Sequence, residues 1–246
     1  MPDLLTLALA EPVVALAYTV FGMVGFGSTL LAAPMLMHLL PVTTVVPTLA
    51  MTDLLASWSN GWRLNQHIVK KELYLLLPAL LVGSTLGAWL LFNLPLKIMP
   101  LLMGIFVTLY GLIGLRRPAP QRPALDKRWA WCFGFLGGTC SALFGAGGFV
   151  YSIYLSRRLV DPLQIRATQT TVLMVSSVMR VGLYLLAGSL LDPQLLVLVV
   201  LLLPGMALGL YIGHHVSLRL DRRRFMQVLH VVLLLSGISL VIRTLL

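Results

Sequence analysis

Two long apolar segments of this chain, at about residues 12–40 and 129–159, are each interrupted in the middle by glycines. The first carries GFGS at residues 25–28, and the second carries GAGG at residues 145–148. Backbone at such a break loses its helical hydrogen bonds, and unpaired N–H and C=O groups are most costly where water is excluded. A break in so apolar a setting therefore predicts that protein or a hydrated cavity surrounds it.

The whole chain is apolar enough for a membrane. Of its 246 residues, 59% are hydrophobic and 11% are charged, and the mean hydropathy is +0.94. Apolar runs of about 20 residues, the length of a membrane-spanning helix, recur along it. The net charge of +10 is typical of cytoplasmic loops rich in Lys and Arg, so nucleic acid is not an expected partner. We predict an all-α, polytopic membrane protein that lies in the lipid bilayer.

The first ten residues do not resemble a cleavable signal peptide. They carry Asp3 and no Lys or Arg, so the basic region of such a peptide is missing. The Glu11-Pro12 pair is typical of a helix start. We therefore expect the N-terminus to be retained and the first helix to begin near residue 12.

Two motifs recur in the same order in the two halves of the chain. The glycine breaks begin at Gly25 and Gly145, and a P-x4-G-x3-G pattern occurs at residues 78–87 and again at 204–213. Two landmarks in one order indicate a duplicated unit, although small residues four apart also serve simple helix packing. The predicted units are a first repeat at residues 1–115, a cytoplasmic linker at 116–128, and a second repeat at 129–246.

Each repeat is predicted to contain one re-entrant hairpin and three membrane spans. If the broken segments crossed the bilayer, the Lys and Arg residues would divide almost evenly between its two faces. If they return instead, nearly all of these residues share one face, with Lys97 and Arg243 opposite, as the positive-inside rule expects. Three crossings per repeat invert the second repeat and leave both termini on the periplasmic side. The predicted elements are a hairpin at 12–40 with spans at 43–64, 73–92 and 98–115, and a hairpin at 129–159 with spans at 167–188, 194–215 and 225–244.

The two glycine turns would enter from opposite faces and meet near the centre of the bilayer. A helix follows each turn, so its free N–H groups and the positive end of its dipole would face a shared cavity. Such an arrangement favours a small anion as the substrate. The alternative is that these glycines only permit tight helix crossings. The candidate binding residues in the turns are Gly25, Gly27, Ser28, Gly145, Gly147 and Gly148.

Polar residues in the following helices extend this candidate site. Arg180 lies within an apolar run, where a charge is costly and usually functional, and its guanidinium can bind two oxygens of an anion; the alternative is snorkelling to an interface. Asn60 occupies the equivalent position of the first repeat, and Gln169 adds a further polar group. Asp53 is a candidate for proton coupling or a partner for Arg180, unless it only caps a helix end.

The glycine motifs GFGSTLLAAP and FGAGGFVYS, each followed by a helix with polar residues, resemble the TauE/SafE sulfite exporter family, also called toluene sulfonate uptake permeases. The resemblance covers essentially the whole chain. It implies transport of sulfite or a small organosulfonate across the bacterial inner membrane, most often as export. The glycines that match the family motifs are Gly25, Gly27, Gly145, Gly147 and Gly148, whereas Ser28 and Thr29 replace the glycines that many members have in the first turn.

We therefore predict a secondary transporter, most simply an exporter, that works by alternating access. One alternative is a transporter or channel for another small anion, such as a carboxylate. Another is an intramembrane enzyme, which needs a nucleophile, a metal cluster or an acid/base pair. The histidines lack metal-ligand spacing, and the adjacent His214 and His215 point apart on a helix. We expect no cofactor, no metal and no enzymatic activity.

Overall fold

The computed structural model describes residues 4–95, 98–115, 125–188, 190, 192–216 and 222–245. These residues form α-helices joined by short connections, with one turn of 3-10 helix at Asn65–His67 and no β-strand among them. The helices are α1 (Leu4–Val24), α2 (Ser28–Leu36), α3 (Val42–Leu64), α4 (Lys70–Asn93), α5 (Ile98–Leu115), α6 (Trp129–Phe144), α7 (Gly147–Ser156), α8 (Pro162–Leu186), α9 (Pro193–Val216) and α10 (Arg222–Leu245).

The start of α1 differs from the prediction. The helix begins at Leu4 and continues through Pro12, so the predicted start near residue 12 is wrong. Proline removes one helical hydrogen bond, but the residues before it are apolar and helix-forming, and helices in apolar surroundings tolerate an internal proline. The linker prediction at 116–128 falls largely outside the described residues.

Five helices are long and apolar enough to cross a membrane, which fits a multi-pass membrane protein. Helix α1, assigned to a hairpin from the sequence, is one of the five, and α3 is not among them. Helix α3 has 23 residues but carries a buried face of polar residues, which lowers its hydropathy. This polar face packs inside the bundle, whereas Trp58 and Trp62 on α3 are exposed. The five candidate spans are Thr6–Val24, Lys70–Leu91, Ile98–Leu115, Pro162–Leu186 and Pro193–His215.

The first helix of each half packs on the fourth helix of the other half. Helix α1 lies along α9, with Glu11 beside Gly205 and Thr19 beside Gly213, so the two helices run in the same direction. The glycines leave no side chain between the backbones, and this allows close contact. Part of the P-x4-G-x3-G pattern is thus a packing surface.

The same relation holds between α4 and α6. Gly134 lies against the carbonyl of Leu76 and Gly138 against that of Leu80, so these helices are also parallel and in close contact. Helices α3 and α8 pack against each other in opposite directions, and so do α5 and α10. The pairing of α1 with α9 is thus matched by the pairing of α6 with α4.

Side-chain contacts gather several loops at one end of the bundle. The Val69 amide donates to Thr168 Oγ1 at 3.0 Å, which joins the start of α4 to the start of α8. Arg158, after α7, binds Glu72 at 2.6 Å and donates to the carbonyl of Leu125 at 3.1 Å. The starts of α4, α6 and α8 and the end of α7 therefore lie together.

The loop after α2 has a different location. Arg243, near the end of α10, donates to the Met37 carbonyl at 2.9 Å. His38 also contacts Ser239 at 2.9 Å through Nε2. The end of α2 therefore lies beside the end of α10.

Candidate functional site

The two glycine turns lie against each other in the middle of the protein. Gly145, with a φ of 66°, packs on Thr29 so closely that an added Cβ would lie 2.3 Å from the threonine methyl group. A Cβ on Gly148 would lie 2.6 Å from that of Phe26. Neither position has room for a side chain, so the contact between the turns requires glycine. The starts of α2 and α7 are thereby brought to one place.

A small cavity lies between these helix starts and the middle of α3 and α8. The centres of water-sized spheres can occupy only about 10 Å³ of it, which is room for about one water molecule. Its walls include apolar side chains such as Phe21 and Leu173, and a set of polar or glycine positions. Six of the sequence candidates line it: Gly27, Ser28, Asp53, Gly145, Gly148 and Arg180.

Arg180 is a buried cation at this cavity. The residue is 2% exposed, so its side chain stays inside the bundle and does not reach an interface. Its Nη1 lies 3.4 Å from Oδ2 of Asp53. Its Nε and Nη2 groups are also buried and reach no acceptor in hydrogen-bonding geometry among the described residues, although the Tyr184 hydroxyl lies near the guanidinium. A guanidinium with two such donors is suited to bind two oxygens of an anion.

Asp53 lies in the middle of α3, so it does not cap a helix end. Its Oδ1 accepts hydrogen bonds from Tyr18 at 2.8 Å and from Ser28 at 2.7 Å, and its Oδ2 accepts one from Thr29. Ser28 is the first residue of α2, so the carboxylate also faces the positive end of that helix dipole. Asp53 and Arg180 form a buried ion pair in which the carboxylate is well bound and the guanidinium is not.

Two of the predicted polar residues do not line the cavity. Asn60 is buried two turns along α3, and its Oδ1 contacts Nε2 of His214 at 2.7 Å. Gln169 is also buried, and its Nε2 donates to the Gly148 carbonyl at 3.0 Å. Gln169 therefore positions the second turn, and Asn60 joins α3 to α9.

Two of the predicted glycines lie behind the cavity wall. Gly25 has a φ of 87° and packs against the side chains of Arg166 and Thr170 on α8. Gly147 faces the carbonyl of Gly137 on α6. These glycines shape the turns and leave the cavity surface to Gly27, Gly145 and Gly148.

Some residues of the site were missed in the sequence. Ser57 and Ser177 line the cavity, and they lie four residues after Asp53 and three residues before Arg180. Helical spacing places each on the same face as its charged neighbour, and this signal was available. Tyr18 had no such signal, because its contact with Asp53 joins two separate helices.

The described residues contain no group of three or more His, Cys, Asp or Glu that could hold a metal ion. The polar groups at the cavity are hydroxyls, one carboxylate and one guanidinium. This set is suited to hold oxygen atoms of an anion through hydrogen bonds and charge.

A multi-pass helical bundle with broken helices and a closed polar cavity at its centre is typical of a membrane transporter. The chain belongs to the family described as sulfite exporter TauE/SafE, which matches residues 12–240. It is also similar to the probable inner membrane transporter protein TsaS of Comamonas testosteroni, with 24% identity over 188 residues that cover 76% of this chain and 79% of the relative. No solved structure matches the chain. The family and the relative make this protein a transporter and not an enzyme.

Proposed function

We propose that this protein is a secondary transporter of sulfite or a small organosulfonate, and that it works by alternating access at the central cavity. The observation that carries the proposal is Arg180, which is buried at the cavity with two guanidinium nitrogens, Nε and Nη2, that donate to no acceptor in the described part of the chain. The family description and the name of the relative support the anion class and a bacterial inner membrane location.

The anion would bind between Arg180 and the two helix starts. The Nε and Nη2 groups can hold two oxygens in the paired geometry that guanidinium groups favour. The free backbone N–H groups at the starts of α2 and α7 attract the remaining negative charge. Ser57 Oγ, which is buried and has no partner among the described residues, adds a donor. Sulfite and sulfonates offer three oxygens, which suits donors that converge from several directions.

The contacts between the helices support two hairpins that enter from opposite ends. Leu125 precedes α6 and Arg158 follows α7, and these two residues are in contact. Helix α1 runs parallel to α9 and so begins where α9 begins. Helix α2 ends beside Arg243, which lies near the end of α10. If α9 and α10 both cross the membrane, the end of α10 lies on the same side as the start of α9. Each broken segment would then return to the end from which it entered, as an inverted repeat requires.

The basic loops give this arrangement an orientation. The residues Arg63, Lys70, Lys71, Lys127, Arg128, Arg157 and Arg158 lie near the helix ends that the contacts of Val69 and Arg158 bring together. The positive-inside rule assigns that end to the cytoplasm. Both termini would then be periplasmic.

Cysteine labelling tests the orientation. Cys132 and Cys140 are first replaced, and single cysteines are then introduced at Asp126, Val160 and Leu39. A membrane-impermeant thiol reagent should label positions 126 and 160 from one side and position 39 from the other. If positions 126 and 160 were labelled from opposite sides, the second hairpin and the inverted repeat would both be wrong.

Transport requires the cavity to open. Its present size admits about one water molecule, so a sulfonate needs a wider cavity than this conformation offers. The Asp53 carboxylate next to Arg180 favours a small carboxylate as the second candidate substrate.

Flux in sealed proteoliposomes tests the function. The protein should show saturable counterflow of labelled sulfite or methanesulfonate, with and without a proton gradient. Arg180→Ala should abolish the flux, whereas Arg158→Lys, which retains a cation outside the cavity, should preserve it. If no sulfur anion moved but acetate did, the fold would stand and the substrate class would be a carboxylate.

A further inference from the structure

The groups around Asp53 form an anion site that the protein fills with its own carboxylate. Hydroxyls of Tyr18, Ser28 and Thr29 donate to it, and Arg180 lies 3.4 Å away. The start of α2 adds its positive dipole end. A guanidinium, hydroxyls and a helix start are also the groups that the proposed function assigns to the transported anion.

We propose that Asp53 is a tethered substitute for the substrate. Its carboxylate neutralises Arg180 in the empty transporter, and its protonation releases Arg180 to bind the incoming anion. This inference rests on the proposed function, and it adds the mechanism by which a proton and the anion are coupled.

The charge balance of the cavity requires the proton. The empty site holds one cation and one anion, Arg180 and Asp53, and is neutral. A monoanionic sulfonate would bring a second negative charge into a closed site of low dielectric, where uncompensated charge is costly. When one proton binds with the anion, the site is neutral again. The proton goes to Oδ2 of Asp53, the oxygen that faces Arg180, so the carboxyl group gains a donor where it had an acceptor.

Of the described groups that surround the cavity, Asp53 is the one that can take this proton. Within the part of the chain that the structure describes, α1 contributes Tyr18, α2 contributes Ser28 and Thr29, and α8 contributes Arg180. Tyr18 already donates its proton to the carboxylate, and arginine keeps its charge in proteins. Asp53 is the one carboxylate that lines the described cavity.

The mechanism fixes the relative direction of the two ions. The carboxylate returns to Arg180 only when the anion has left, and it then loses its proton on the same side. Proton and sulfonate therefore move together. A membrane whose outer side is more acidic would drive uptake, and export would need a large outward gradient of the anion.

Asp53→Asn in proteoliposomes tests the coupling. Methanesulfonate is the probe because it stays a monoanion from about pH 5.5 to about pH 8, so a change of KM with pH over this range reports a proton that the protein binds together with the anion. In the wild type, KM should rise with pH, and an internal pH dye should report proton movement with the anion. In the variant, KM should lose its pH dependence and be lower at pH 8 by about 5- to 100-fold. Counterflow should persist without proton movement.

Glu72→Gln is the matched control. Glu72 is the other buried carboxylate in an ion pair, and it lies outside the cavity. This variant should keep the pH dependence of KM and the proton movement of the wild type. Retained proton coupling in Asp53→Asn, or its loss in Glu72→Gln, would overturn the inference.

Anion binding in detergent separates this inference from the proposed function. Thermal unfolding is measured with methanesulfonate and with acetate at about pH 8, because bound ligand raises the unfolding temperature. Asp53→Asn should be stabilised by an anion more than the wild type. This result would support the inference even if sulfur anions were not transported. Equal stabilisation would overturn it even if sulfite transport were normal.

Tyr18→Phe is a second variant in case Asp53→Asn does not fold. It removes one hydrogen bond that stabilises the carboxylate and keeps the charge of Asp53. Protonation then becomes easier, so the rise of KM should move to higher pH. An unchanged pH profile would contradict the role of Asp53.

Discussion

Two ion pairs with a buried carboxylate occur among the described residues, and they differ in how completely the donors of the arginine are used. In the pair near the basic loops, Arg158 contacts Oε1 of Glu72 through Nη2 at 2.6 Å and through Nε at 3.2 Å. Its Nη1 binds the Leu125 carbonyl, and Tyr154 donates to the other oxygen of Glu72 at 2.7 Å. The hydrogen bond to Glu72 raises the pKa of Arg158, so this cation is charged at all physiological pH values. This ion pair links the start of α4 to the segment after α7 and to Leu125 before α6.

The pair at the cavity is incomplete. Arg180 reaches Asp53 through one atom at 3.4 Å, and its other donors have no acceptor among the described residues. A buried charge without full compensation is costly and is retained where function needs it. The difference supports the proposal that the pair at the cavity exchanges its partner, whereas the Arg158 pair stabilises the fold. Four substitutions can break or sharpen this comparison.

Arg180→Ala should have the largest effect. It removes the cation and leaves Asp53 buried without its charge partner, so the free energy of unfolding should fall by about 3 to 5 kcal/mol. Flux should fall below detection, because the anion loses its main charge partner. Tracer counterflow and thermal unfolding in detergent measure the two effects. Arg180→Lys retains the charge without the paired donors and should keep partial flux; full flux in Arg180→Ala would contradict the assigned site.

Arg158→Ala should separate stability from transport. It leaves the Glu72 carboxylate with only Tyr154 and costs about 3 kcal/mol of stability, at the lower end for a buried pair because Arg158 is partly exposed. The unfolding temperature should fall, whereas the KM of the remaining folded transporter should stay that of the wild type. A changed KM would mean that this pair also takes part in the transport cycle.

Gly145→Ala should weaken the contact between the turns. A left-handed conformation costs alanine about 1 to 2 kcal/mol, and the added methyl group would also overlap Thr29. The loss of stability should therefore exceed the backbone cost alone. Thr29→Ser makes room at this contact and should restore part of the loss in the double variant. Equal losses in the presence and absence of Thr29→Ser would indicate that strain in the backbone accounts for the whole effect.

Much of this organisation could be predicted from the sequence because its cause is local. Apolar length predicts the helices, and the glycine motifs predict the breaks at Gly25–Gly27 and Gly145–Gly147. The functional role of Arg180 stays a prediction. The contact of Tyr18 with Asp53 could not be predicted, since it depends on how two helices are rotated against each other. The start of α1 was missed because Pro12 was interpreted as a helix start and is an internal residue.

The position of Asn60 has a geometric reason. The proposed repeat, with an offset of 120 residues, makes Asn60 the equivalent of Arg180, but α3 and α8 pack in opposite directions. In an inverted repeat, a twofold axis relates each pair of equivalent residues, so residues that do not lie on this axis are found on opposite sides of it. Arg180 therefore contacts Asp53, and at the other side Gly61, next to Asn60, faces Met174. Equivalence in the repeat does not imply proximity.

Asn60→Ala should accordingly have the smallest effect. It removes the contact with His214, which is worth about 1 kcal/mol, and opens little space at the cavity. The unfolding temperature should fall slightly, and the KM for methanesulfonate should stay unchanged. His214→Ala breaks the same contact from α9 and also the contact of His214 with Arg63, so it should lose at least as much. The double variant should lose less than the sum of the two, because they share one interaction. If KM increased for Asn60→Ala but not for His214→Ala, Asn60 would belong to the binding site. The cavity would then extend along α3 when it opens.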